Sequence, residues 1–374
     1  MSLLLVGAQT TRYERHFLIS CNIVRTWCAG ARALALVLSL GAPVSVQAQE
    51  YSLGAILDPE VYGAVPKSAP LARGDYLSAP ASMSLKRFVP PVGDQGQQGS
   101  CVGWATAYAA RTLLTAKGLD VDTSAKLRRM ILSPAYVFNQ IHLPGCNGSY
   151  LPDALELMQR QGVSLMSDFP YDEFSCSATP PSGVRSKATA YRIKGFSRLW
   201  GRSGRNKHVA TRRALANGNP VVIGMMVGEG FMRHRGEGLW QPSSAERSGL
   251  RDDTLGGHAM AVIGYDDTRN GGAFEVVNSW DTSWGNKGFF WISYEDFNDF
   301  VFEGYEVLPP DPPPPPRVVD MAGRARVLHI SGDTLDVRRN SDGYALREPL
   351  PSGARFRVEA SSRFNGALYG VGGA

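Results

Sequence analysis

Several features that the 374-residue chain lacks narrow its function. No stretch beyond residue 48 approaches the roughly 20 consecutive apolar residues needed to span a bilayer, so stable membrane insertion is not expected. No set of cysteines and histidines stands at zinc spacing, so no metal is implied, nor any other cofactor. Charge of one sign is not in excess: 39 Lys+Arg against 34 Asp+Glu leave +5, which argues neither for nucleic acid nor for a strongly acidic partner. No internal repeat is found, and there are only five cysteines. What is present, 43% hydrophobic and 20% charged residues, is an ordinary globular balance with enough apolar material for a sizeable core and more than one domain.

The first 48 residues read as a signal segment. Arg25 and Arg32 precede the apolar run "ALALVLSLGAPV", and Val46 and Ala48 offer small residues at the minus-three and minus-one positions of a cleavage site. The expected location is therefore secreted or periplasmic. "LISC" at 18–21 resembles a lipid-attachment box, but the charged "TRYER" stands before it where an apolar core is required, and residues 1–22 read as an upstream start-site artefact. Cys21 and Cys28 leave with the signal. Cys101, Cys146 and Cys176 remain in an oxidising compartment, an odd number.

Along the rest of the chain, helical patterns come first and strand patterns follow. Residues 49–77 form a short N-terminal extension, and 51–85 is loop-like, with scattered Pro, Gly and Ser. From Cys101 to Lys117, Val102, Ala105, Ala109, Leu113 and Leu114 recur at helical spacing with Gly118 as a stop. Ser133 and Pro134 open a second helix, and "PDALELMQRQ" before Gly162 is a third. After about 218, "PVVIGMMV", "HAMAVIGY", "AFEVVNSW" and "GFFWISY", split by glycine-rich turns, read as antiparallel strands. The class is α+β, two packed halves. "PPDPPPPP" at 309–316 reads as a stiff spacer, and 317–374 as a small β-rich module that binds or localises rather than catalyses. The basic stretch from Arg192 to Arg213 reads as a solvated face.

The chemistry gathers around "PVGDQGQQGSCVGWATAYAA". Cys101 stands at the start of a helix, where unpaired N–H groups favour a thiolate, and a neighbouring imidazolium favours it further. His258 opens a strand that returns through "DDTRNGG". Folding the hairpin near residues 268–269 brings His258 within a residue or two of Asn278, whose amide oxygen can fix the ring and leave its other nitrogen facing a thiol. That is Cys-His-Asn nucleophilic logic. The side-chain amide of Gln95, with the N–H of Cys101, can form an oxyanion hole. The other five histidines show no such partner pattern.

At these residues the chain resembles the papain-like cysteine peptidases, in particular their exported bacterial branch. "QGQQGSC" resembles the family's oxyanion glutamine and nucleophile, "GGHAMAVIGY" the histidine strand, "VVNSWDTSWGNKGFF" the asparagine motif, and "GCNGSY" the loop that holds substrate backbone. The resemblance covers about 78–308 and implies a two-lobed fold, a helical lobe plus an antiparallel β-barrel-like lobe. It also implies a cysteine endopeptidase acting on polypeptides through a thioacyl-enzyme. By it, Cys101 is nucleophile, His258 general base and acid, Asn278 the orienting residue and Gln95 the oxyanion donor. Trp280 shields the His258–Asn278 contact, Gly148 and Ser149 present backbone to the peptide, and Gly224 and Ala259 fall in an apolar pocket for the substrate's second side chain.

The chain departs from that family in three places. Val102 follows the nucleophile where tryptophan is usual, with Trp104 two residues on; Gln98 replaces a customary cysteine; and the long helical pro-segment is absent. Cys146 and Cys176 thereby lose their customary partners, at Gln98 and near Asn139. With Cys101 required free, those two are expected to pair, closing a loop of about 30 residues that adds roughly 3 kcal/mol by chain entropy. Two other readings stand beside this one: an NlpC/P60-like cell-wall peptidase, and a catalytically inactive papain-like protein that only binds.

Overall fold

The structure, a computed structural model, describes residues 51–68, 79–122, 124–201, 204 and 206–310, and three later strands at 327–331, 334–338 and 346–349. Residues 1–48, where a signal segment is expected, and residues 311–316 of the proline run lie outside the described residues.

The helical half is built as the local sequence dictates. The Ser133 hydroxyl accepts from the Tyr136 N–H and Pro134 takes the first position of helix Pro134–Ile141, where its missing N–H costs nothing. Helix Leu151–Arg160 has Pro152 in its first turn, and Gly162 follows with φ +87°. The helix that begins at Cys101 runs on through Gly118. Its spacing predicts one buried face; instead residues 101–114 are all buried. It packs against both other helices on one side and against the sheet on the other, and a run of alanines lets its neighbours approach. Its middle, Trp104–Arg111, has π geometry, a feature that side-chain periodicity does not report.

The second half is an eight-stranded, mostly antiparallel sheet. Its strands are β1 (Ser82–Ser84), β2 (Gly195–Arg198), β3 (Val221–Val227), β4 (Leu239–Trp240), β5 (Gly256–Asp266), β6 (Ala273–Val277), β7 (Phe289–Ser293) and β8 (Val301–Leu308). The order is β2-β8-β3-β5-β6-β7-β4, with β1 also on β5 and the β4–β7 pair parallel. Helices ahead of a sheet make this the α+β arrangement expected. Central β5 is buried along nearly its whole length, which is why it reads as a continuous apolar run rather than an alternating one. A bulge between Val262 and Gly264 shifts its register with β6 by one residue. Strands β9 (Val327–Ser331), β10 (Thr334–Arg338) and β11 (Leu346–Pro349) form a separate antiparallel sheet, order β11-β10-β9.

Two expectations are corrected. Residues 51–85 are not all loop: Asp58 caps helix Pro59–Ala64 through its carboxylate, and β1 pairs with β5. Six helical and three strand residues are too few for a periodic signal. Three residues of the basic stretch are not on a solvated face either. Arg198 donates to the carbonyls of Val65 and Trp200, Lys207 Nζ to those of Asn298 and Val301, and Arg212 pairs with Asp267 at 2.5 Å. All of these partners except Trp200 lie far away in sequence, so a charge run alone does not reveal them.

Candidate active site

The disulfide joins Cys146 to Cys176, with Cα atoms 6.0 Å apart, and Cys101 is the free, buried thiol among the described residues. The two positions that replace the family's cysteines hold the same segment by other means. Gln98 Nε2 donates to the Asp172 carbonyl at 3.1 Å and Asn139 Nδ2 to that of Ala178 at 3.0 Å, on either side of Cys176. Amide hydrogen bonds thus stand where the customary bridges are missing, and the one remaining bridge ties this segment to the "GCNGSY" loop.

On the other wall, the register of β5 and β6 sets His258 and Asn278 two positions apart on one face. His258 Nε2 lies 2.7 Å from Asn278 Oδ1. An amide oxygen only accepts, so Nε2 carries the proton and Nδ1 is the basic nitrogen. Trp280 stacks on the ring at 4.3 Å between centroids and 24°, and both are fully buried, which keeps water from the His258–Asn278 bond. Asn278 Oδ1 also accepts from the Ser279 N–H. The Ser279 hydroxyl donates to Gln95 Oε1 at 2.7 Å, fixing that amide with Nε2 turned into the cleft. Ser279 therefore links the base-orienting amide to the oxyanion amide. Sequence reasoning passed over it although it stands inside "NSW".

The cleft is filled by the chain itself. Residues 51–57 run through it as extended backbone. Gln95 Nε2 donates to the Ser52 carbonyl at 3.0 Å; the Gly54 and Ala55 N–H groups reach the Gly257 carbonyl at 3.3 and 3.1 Å. Ser149 donates its N–H to Gly54 O at 2.9 Å and accepts from Ile56 N at 3.1 Å, so this loop pairs its backbone with the chain's own segment. Gly148 holds φ +82°, and a Cβ there would lie 2.4 Å from Gly54 O. Leu57 fills the space over Gly224: a Cβ at 224 would meet Leu57 Cδ2 at 2.5 Å, with Leu151 and Glu303 alongside. The Ala259 N–H points at Cys101 Sγ at 3.4 Å.

Burial under this segment works against a thiolate at the nucleophile. Burial pushes the Cys101 thiol up to about 12, although the N–H groups of Ala259, Gly54, Val102 and Cys101 itself pull the other way. Burial pushes His258 down to about 4, against the Asn278 bond that raises it. Thiol and imidazole are both neutral at pH 7, and His258 Nδ1 has no hydrogen-bond partner among the described residues. The N-terminal helix position favours a thiolate only where solvent or an imidazolium helps, and here both are excluded. Sulfur faces the Gly54 N–H, two residues from the carbonyl held by Gln95.

Glu303, on β8 beneath Leu57, is a second group that sequence reasoning missed. It is 3% exposed, accepts from Tyr305 Oη at 3.0 Å and from the Asp58 N–H, and burial raises it from an ordinary 4.5 to about 7, with the Asp58 charge acting in the same direction. The docked segment therefore holds a proton that the released site gives up. The contribution of Glu303 to docking is fully present below about pH 4.5 and is lost progressively as pH rises through about 7. The Cys101–His258 pair adds no slope across that window, because moving the proton from Sγ to Nδ1 on release leaves the count at one. Alkylation of Cys101 by an epoxide is thus expected to accelerate about tenfold or more between pH 5 and 7.5, and Glu303→Gln to flatten the profile. An unchanged slope in Glu303→Gln would remove Glu303 from the latch.

Residues 79–307 match the family model described as papain family cysteine protease. Among curated relatives, cathepsin K of Gallus gallus is 28% identical over 237 residues, 60% of this chain and 64% of its own length. Vignain of Ricinus communis is 26% identical over 234 residues, 60% and 58% respectively. The chain thus spans somewhat less than two thirds of the length of these two relatives. Among solved structures, xylellain, a cysteine protease from Xylella fastidiosa, superposes with TM-score 0.54 at 22% identity, covering 70% of this chain and 97% of that one. A recombinant stem bromelain precursor gives 0.52 at 19%, covering 69% and 83%. These two share the fold. The matching family is the papain one, and the NlpC/P60-like alternative gains no support from it.

Proposed function

Because the chain belongs to the papain family of cysteine proteases, we propose that it is an exported endopeptidase, secreted or periplasmic, that hydrolyses polypeptides through a Cys101 thioacyl-enzyme and is held latent by its own residues 51–58. The observation that carries this reading is the extended backbone in the cleft. A groove that holds peptide main chain at Ser149, Gly257 and Gln95 is built to receive peptide.

Once the segment leaves, Cys101 Sγ gives its proton to His258 Nδ1 while Nε2–H stays on Asn278 Oδ1. The thiolate attacks the scissile carbonyl carbon, and the developing oxyanion takes hydrogen bonds from the Cys101 N–H and from the Gln95 Nε2 hydrogen that Ser52 releases, the other remaining on Gln98 O. Nδ1–H then protonates the departing amine and leaves the thioester. Water, deprotonated by Nδ1, attacks that carbonyl, and the acid departs as the proton returns to the Cys101 and His258 pair. Ser279 positions Gln95. Gly224 forms the floor of an apolar subsite that Leu57 now occupies. The module after residue 316 serves localisation or partner binding and takes no part in these steps.

An epoxysuccinyl peptide that alkylates activated thiols tests the reading. Peptide mapping is expected to find the adduct on Cys101, with casein hydrolysed by the same preparation. A chain whose segment has been displaced and which still neither labels nor cleaves would be a binding protein with a spent site.

A further inference from the structure

The segment in the cleft carries one side chain whose surroundings the peptidase mechanism does not use. Tyr51 is buried, and its ring stacks on Trp280 at 4.6 Å between centroids and 16°. Its hydroxyl lies 3.3 Å from Arg235 Nη2. The guanidinium is aimed there by its own loop: Nη1 donates to the Met232 and His234 carbonyls at 3.2 and 2.8 Å, and the Arg235 backbone bridges to that of Gly285. Arg235 thus presents a preset donor at the rim of an indole platform, and nothing in the Cys-His-Asn chemistry calls for it.

The position of this platform relative to the scissile bond follows from its neighbours. Trp280 also stacks on His258, which hands its proton to the departing amine, so a side chain on Trp280 belongs to the leaving-group half of the substrate. Ser52, next to Tyr51, has its carbonyl on the oxyanion amide, one residue from the reacting centre. Leu57 marks the opposite, acyl half at Gly224. A subsite recognises a side chain by shape and donors whichever way the backbone runs, so the segment is an imprint of both halves.

We propose that Trp280 and Arg235 form a subsite selecting tyrosine as the first residue after the scissile bond, with Arg235 as the residue that distinguishes tyrosine from phenylalanine. The proposal rests on the peptidase reading above. Trp280 provides area for any aromatic ring. The Arg235 donor rewards only a ring bearing an acceptor at its far end, and a site built to bond a hydroxyl discriminates against the analogue without it. Because Arg235 is exposed, that discrimination is modest.

The test uses the full-length chain and two quenched peptides that compete in one reaction. They carry leucine two residues before the scissile bond and are identical except for Tyr or Phe after it. Both compete for the same released fraction of enzyme, so the ratio of kcat/KM values is independent of latency. A Tyr:Phe ratio of about 5 is expected, falling to about 1 in Arg235→Met and recovering in part in Arg235→Lys, with the melting temperatures of both variants checked against wild type. A wild-type ratio of 1, or a ratio unchanged in Arg235→Met, overturns the subsite while leaving the peptidase reading intact. Failure to cleave either peptide after the segment has been displaced overturns both.

Discussion

Cys101→Ala is expected to lower peptide hydrolysis about 10⁴-fold or more, to the level of an empty cleft, while Asn278→Ala loses about two orders of magnitude less. The difference follows from how the base is held. Removing sulfur removes the atom that forms the thioacyl bond, and among the described residues no other thiol is free to replace it. Removing the Asn278 amide deletes the 2.7 Å bond to Nε2, but the stack on Trp280 still fixes the plane of the imidazole, so Nδ1 points toward sulfur for part of the time. Measured kcat/KM on a quenched peptide separates the two. Equal losses would mean that Asn278 does more than orient, and wild-type activity in Cys101→Ala would remove Cys101 from the chemistry altogether.

The hairpin that joins this base to its amide was legible because strand geometry has a period of two and a short turn leaves few registers. The bulge at Val262/Gly264, which adds one residue, is what brings His258 and Asn278 onto one face, since a one-residue shift exchanges the faces of a strand. The Cys146–Cys176 pairing was legible for a different reason: three thiols, one of them needed free, leave a single bond. The occupied cleft was not legible. An extended segment that pairs through its main chain leaves no periodic mark on its side chains, and "YSLGAILD" passed for loop because it holds Ser and Gly. Its signal lay in composition: Leu53, Ala55, Ile56 and Leu57 are too apolar for a solvated loop, and the Asp58–Pro59 pair is a helix start. Glu303 was invisible for a related reason. Only the β3–β8 pairing sets it opposite Gly224, and only the docked Leu57 and Asp58 close over it. The candidate nucleophile, base and amides were therefore read from local pattern, whereas the thiol's protonation state depends on contacts about 50 residues upstream.

Gly54→Ala is expected to release the latent enzyme, raising the initial rate of the unprocessed chain about tenfold to a hundredfold, and Gly63→Ala is not. Both glycines lie in the same N-terminal extension, which makes the pair a controlled comparison. A Cβ on Gly54 would fall 2.0 Å from the Gly99 carbonyl oxygen and 2.4 Å from its carbon. Those atoms belong to the backbone of the loop that leads into Cys101, with Ser100 N bonded to Gln98 O and Gln98 Nε2 to the Asp172 carbonyl, so the loop cannot give way as a flexible side chain would. The segment must lift, and with it go the Ser52 carbonyl on Gln95 and the cover over Sγ. A methyl on Gly63 meets nothing within 4 Å, and in helix Pro59–Ala64 alanine is favoured over glycine by up to about 1 kcal/mol, so that substitution leaves latency as it is or deepens it. The readouts are the initial rate on a quenched peptide and the rate of epoxide labelling at Cys101, with melting curves to confirm that both variants fold. If folded Gly54→Ala is no faster than wild type by either measure, residues 51–58 do not restrain the enzyme, and the filled cleft is a bound conformation without regulatory weight.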